Sequence, residues 1–176
     1  GGNREYMPPQ EMVQVFDIAR VRKTAAQFDQ QKLDWLNSQY IKQLPIERLT
    51  DTAADWLIRK GLWKADGDRA WLVRLMTLLR DRLKTLEALE TEHRFFFEAS
   101  PPYDEEAVAK FLRQDGMAGH LLALTERLER LKTFDAAAIE GATRALIAER
   151  NLQPKELIHP ARVAVTGRPV SPPLFE

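Results

Sequence analysis

The chain contains no cysteine. That excludes disulfides, thiolate metal sites and a cysteine nucleophile, and it fits a reducing compartment. No apolar run approaches the roughly 20 residues that a membrane-spanning helix needs, so no membrane is expected as a partner. Net charge is zero, from 26 basic and 26 acidic residues. Indiscriminate nucleic-acid binders carry a large positive excess, which disfavours that class while leaving room for a local basic face. The three histidines, His93, His120 and His159, lie far apart, with no pair at the helical spacing of a metal site. The opening residues, Gly1 to Tyr6, lack the basic stretch and apolar core of a secretory signal, and a cytoplasmic location is expected.

What the chain does have is length and balance. Its 176 residues suffice for one large domain or two small ones, each with a core, and 44% apolar with 30% charged residues is typical of globular proteins. Periodicity is helical almost throughout. Pro8-Pro9 stands where proline is tolerated at a helix start, and Met12, Val13, Val15 and Phe16 follow as a short apolar face. Asp29 suits the N-cap of a helix with Leu33, Leu36, Tyr40 and Ile41 on one stripe, stopped near Pro45. Thr50 or Asp51 is expected to cap the next, with Ala53, Trp56 and Leu57 inward and Gly61 closing it. A longer helix is predicted from Asp68, with Trp71, Leu72, Leu75, Leu78, Leu79 and Leu86 buried and Arg80 and Arg82 off that stripe.

Phe95-Phe96-Phe97 and Ser100-Pro101-Pro102 end this run and mark a link between two subdomains. Helices are then expected from Asp104 through Phe111, Gly116 to Lys132 and Phe134 to Arg150. A short last helix from His159 is ended by Gly167, before a proline-rich loop. No strand and no internal repeat is discernible, so the expected class is all-α. Most of the four tryptophans, Trp35, Trp56, Trp63 and Trp71, are expected in the core.

An enzyme needs a few groups of tuned ionisation or nucleophilicity, and no such constellation stands out. Asp104, Glu105 and Glu106 fall in a first helical turn, where the helix dipole favours negative charge. Gly116-Met117-Ala118-Gly119 follows no strand and is too short to cradle phosphate. No catalytic residue, metal or cofactor is expected in this segment. Binding suits the residues better. The clusters Arg20-Val21-Arg22-Lys23, Arg80 to Lys84 and Arg162 to Arg168 are candidates for a cationic face, although a solvated helix face laced with ion pairs is the simpler reading of each. An arginine near a helix end can read an unstacked base or grip phosphate, or it can pair with Asp81 or Glu87, and residue types alone do not choose.

Several stretches, taken in order, resemble the bacterial glutamyl-tRNA synthetases downstream of their catalytic domain. They are Phe16-Asp17-Ile18-Ala19-Arg20-Val21-Arg22-Lys23-Thr24-Ala25-Ala26-Gln27-Phe28-Asp29, then Lys32-Leu33-Asp34-Trp35-Leu36-Asn37 through Tyr40-Ile41. Arg80-Asp81-Arg82-Leu83-Lys84-Thr85-Leu86, Val163-Ala164-Val165-Thr166-Gly167-Arg168 and Pro173-Leu174-Phe175-Glu176 follow. The resemblance implies a stem-contact helical subdomain over 1–66 and an anticodon-binding helical subdomain over 67–176, with the family's last helix absent. Lys32, Trp35 and Lys42 match positions facing the tRNA stems, with Leu33 and Leu36 toward the core. Arg82 matches the position that reads the third anticodon base, where arginine favours cytosine; Arg80, two residues away, is the alternative. Thr166, Gly167, Arg168 and Pro169 match the segment handling the first two anticodon bases.

The implied parent is a glutamate–tRNA ligase using ATP and Mg, and the implied partner is glutamate tRNA, without DNA, bound by a monomeric segment. The adenylation signatures His-x-Gly-His and Lys-Met-Ser-Lys-Ser are absent, and Arg22-Lys23-Thr24 only echoes the second. This segment alone is expected to be inactive. A helical protein-interaction module without RNA binding is the competing expectation.

Overall fold

The computed structural model describes residues 6–21 and 27–175. Among them the protein is all-α, as expected, with eight α-helices and no strand. The chain divides into two compact units: Gly1–Arg59 with Lys64–Ala88, and Lys60–Trp63 with Leu89–Glu176. The division falls at Ala88–Leu89, within a 3₁₀ turn over Leu86–Leu89, rather than at 66/67.

The first unit holds α1 (Pro9–Val15), a 3₁₀ turn (Ile18–Arg20), α2 (Gln30–Gln43), α3 (Ile46–Arg59) and α4 (Arg69–Leu79). Asp29 caps α2 by accepting the Lys32 N–H at 3.0 Å, and Asp68 caps α4 through the Trp71 N–H at 3.0 Å. Such caps satisfy N–H groups that have no partner inside the helix. Pro45 separates α2 from α3 and also starts α3, because its carbonyl accepts the Leu49 N–H at 3.0 Å. The expected cap at Thr50 or Asp51 is therefore displaced to Pro45. Thr50 lies buried inside α3, its hydroxyl donating to the Ile46 carbonyl at 2.8 Å. The core gathers Leu49, Ala53 and Leu57 of α3 against Leu72, Leu75, Met76 and Leu79 of α4, with Ile41 and Leu83 also buried. This packing of α3 on α4 binds residues 64–88 into the first unit.

Four expectations for this unit are corrected. The helix begun at Asp68 stops at Leu79, where the Arg82 and Leu83 N–H groups both reach the Leu79 carbonyl and Leu83 turns into the core. Arg80 thus caps the helix and Arg82 lies beyond it. The apolar face of α1 is solvent-exposed, Val13 at 79% and Phe16 at 68%. Leu33 is exposed as well, because α2 buries only Ser38 and Ile41, toward its far end. Trp56, Trp63 and Trp71, expected in the core, are only partly buried, whereas Trp35, expected to be partly exposed, is 40% exposed.

In the second unit the main helices are α5 (Glu105–Ala107), which runs into a π-helical turn over Val108–Leu112, α6 (Met117–Glu129), α7 (Ala136–Glu149) and α8 (Pro154–Thr166). Asp104 and Asp135 cap α5 and α7 through the Ala107 and Ala138 N–H groups, at 2.9 and 2.8 Å. Leu124, Leu146, Ile147, Leu157 and Ala161 form the core where α6, α7 and α8 meet. Helix α8 begins at Pro154, earlier than expected from His159, since proline suits a first helical position and Gln153 with Glu156 closes a capping box. Lys60–Trp63 joins this unit through a Lys60–Glu90 ion pair at 2.9 Å and the edge of Trp63 against Phe97 at 6.3 Å.

Candidate nucleic-acid interface

The candidate residues fall into two groups. Lys32, Trp35, Lys42, Arg80 and Arg82 belong to the first unit; Thr166, Gly167, Arg168 and Pro169 belong to the second. On α2, at about 100° per residue, positions 35 and 42 differ by about 20° and position 32 by about 60°, so the three share one side. Both lysines are exposed and the indole is partly so. That side offers two cations and an amphipathic ring, suited to a phosphate backbone. Of the basic cluster at Arg20-Val21-Arg22-Lys23, residues 22 and 23 lie outside the described residues, as does the Arg22-Lys23-Thr24 echo.

The end of α4 separates the two arginines that the sequence leaves open. Arg80 is half-buried, and its Nη2 donates to the Leu44 carbonyl at the end of α2. Asn37 makes a parallel tie, its Nδ2 donating to the Lys84 carbonyl. Arg80 therefore staples two helix ends together. Arg82 is exposed, with Nη1 donating to the Leu78 carbonyl at 2.6 Å, one of the acceptors a helix end leaves without a backbone partner. Its short tether holds the guanidinium at the helix end, at the surface.

At the end of α8 the arrangement is inverted. Thr166 is only 4% exposed; its hydroxyl lies 2.8 Å from the Arg162 carbonyl and 3.2 Å from the Arg168 carbonyl, and it accepts the Arg168 N–H at 3.2 Å. Gly167 is buried at φ +72°, and its carbonyl accepts the Asp104 N–H at 2.8 Å. A Cβ there would stand 2.4 Å from the Pro102 carbonyl oxygen, so only glycine fits. The Tyr103 hydroxyl adds a bond to the Ala164 carbonyl at 2.6 Å. Thr166 and Gly167 thus shape the turn from within, and Arg168 and Pro169 carry it to the surface. Arg162, which the sequence marks only as part of a basic tail, is half-buried and held in place: Nε donates to Ser171 Oγ at 3.1 Å and Nη1 lies 3.1 Å from His159 Nδ1. The i, i+3 spacing of His159 and Arg162 was its available signal.

One helix end thus presents an exposed arginine and the other a buried polar turn. A family model described as an anticodon-binding domain matches residues 48–176. The chain belongs to the anticodon-binding domain family. It is 33% identical over 178 residues to a glutamate–tRNA ligase of Moorella thermoacetica and 34% identical over 174 residues to one of Elusimicrobium minutum, in each case covering 99% of this chain. The chain spans 36% of the length of these curated relatives. In three dimensions it is similar to a glutamate tRNA ligase from Elizabethkingia meningosepticum crystallised with its amino acid, with a TM-score of 0.78 at 24% identity, over 94% of this chain and 32% of that one. A glutamate–tRNA synthetase from Elizabethkingia anophelis aligns with a TM-score of 0.71 at the same identity.

Proposed function

We propose that this chain is the tRNA-binding portion of a glutamate–tRNA ligase, which docks the anticodon arm of glutamate tRNA and selects it by its third anticodon base. The observation that carries the reading is the match of nearly the whole chain to ligases of that name, coincident with the anticodon-binding family match. The geometry gives it residue content. Lys32, Trp35 and Lys42 meet the stem, the lysines on phosphate and the indole against the backbone. Arg82 reads the third base, its planar donors satisfying the oxygen and ring-nitrogen acceptors of cytosine, where guanine presents a donor. Arg168, Pro169 and the oriented Arg162 meet the first two bases, on a turn built by Thr166 and Gly167. Glutamate activation with ATP and Mg belongs to the catalytic part of such a ligase, in the cytoplasm.

The competing reading is a protein-interaction module without RNA binding, favoured by the exposed apolar residues Val13, Phe16, Ile18 and Phe28. The two readings differ in electrostatics, because phosphate contacts release counterions and make affinity fall steeply with salt. Titration of the chain with glutamate tRNA at two salt concentrations should show tight binding at low salt. Lys32→Gln with Lys42→Gln should lower the log–log salt slope by about 2. No binding at low salt, or binding indifferent to salt, sinks the RNA reading.

A further inference from the structure

The second unit also contains a groove of about 290 Å³ between the π-helical turn and α8, walled by Phe111, Met117, His159 and Pro160 and flanked by Lys110 and Lys155. The wider π turn, closed by the Arg113 N–H on the Val108 carbonyl at 3.1 Å, sets Phe111 against His159, with ring centroids 5.6 Å apart and planes 29° from parallel. Such turns recur where a helix is re-aimed for function. Lys110 Nζ stands 5.2 Å from the Phe111 centroid, and Arg162 bonds to Nδ1 of His159 from the same stripe of α8. Glu156, the acidic residue of the lining, has its carboxylate on the Gln153 N–H at 2.6 Å. The groove therefore combines aromatic and apolar walls with cations at its mouth.

We propose that this groove holds one unpaired base of the anticodon loop, adjoining the first two anticodon bases, with its phosphate between Lys110 and Lys155. The proposal rests on the anticodon-arm reading and extends it. Aromatic walls take any base through its π-face, and lysines at the rim take the phosphate, the combination by which proteins hold single-stranded nucleic acid. The volume lies near the lower end of small-ligand pockets, which begin at about 300 Å³, so it admits one base rather than a stacked run. Positions 159 and 166 of α8 are roughly 10 Å apart along the helix, close enough for neighbouring nucleotides to occupy both.

The test uses the 176-residue chain and the anticodon stem-loop of glutamate tRNA carrying 5-iodouridine at each loop position in turn. One position outside the anticodon triplet should photocrosslink to Phe111, and Phe111→Leu should abolish that crosslink. Lys155→Glu, at an exposed site that leaves the fold intact, should weaken stem-loop binding about tenfold and lower the salt slope by about 1. Tight, salt-dependent binding with crosslinks only elsewhere, and Lys155→Glu at full affinity, overturns the groove while the anticodon reading stands. Failure of the unsubstituted chain to bind the stem-loop at low salt overturns both. A groove that serves a protein partner instead gives the first of these outcomes.

Discussion

Two helix ends, those of α4 in the first unit and α8 in the second, carry the candidate base-reading residues, and they are built in opposite ways. At the end of α4, two arginines two residues apart are sorted by which carbonyl lies within reach: Arg80 turns to Leu44 and is half-buried, while Arg82 stays on its own helix and is exposed. At the end of α8 the geometry is internal. Thr166 and Gly167 spend their polar groups on Arg162, Arg168 and Asp104, leaving the following residues to emerge. A side-chain reader can be exchanged without disturbing the fold, whereas a buried turn can be altered only at the expense of stability. Substitutions at the two ends should therefore separate, one set acting on recognition and the other on folding.

The largest effect on stability is expected at Gly167. Gly167→Ala combines a left-handed φ with a Cβ 2.4 Å from backbone, and should destabilise the protein by about 3 kcal/mol, measured as a shift in urea midpoint. Gly61→Ala, at φ +70° with open space around it, should cost about 1 kcal/mol and isolates the backbone contribution. Equal losses at the two glycines would break the contrast. Arg80→Ala and Thr166→Val each remove a partly or fully buried hydrogen-bonding group and should cost about 1–2 kcal/mol. Arg82→Gln should change thermal stability by less than about 0.5 kcal/mol, as surface substitutions do. If Arg82→Gln unfolds the protein as readily as Arg80→Ala, the assignment of reader and staple is reversed.

Much of this architecture is legible in the residues alone. Asp29, Asp104 and Gly167 announce helix ends because capping is local chemistry, and the leucine spacing from 72 to 79 shows which face of α4 is buried. What escapes is whatever depends on a partner distant in the chain. Nothing near Met12 to Phe16 says that their apolar face stays exposed, and nothing near 64–88 says that α4 packs on α3 and so belongs with the first unit. Arg80 and Arg82 are indistinguishable until the Leu44 carbonyl, 36 residues away, is placed beside one of them. Thr166 attracts attention as a hydroxyl at a helix end, but the structure buries it, in a turn whose Gly167 lies against the Pro102 carbonyl, more than 60 residues away in the chain.

The most direct measurement compares two anticodon stem-loops that differ only in the third anticodon base, cytosine or guanine, bound to the unsubstituted chain, to Arg82→Gln and to Arg80→Gln at one low salt concentration. The unsubstituted chain should prefer cytosine by about 1–3 kcal/mol, Arg82→Gln should erase that preference, and folded Arg80→Gln should retain it. A preference that survives Arg82→Gln, or that disappears only with Arg80→Gln, contradicts the account.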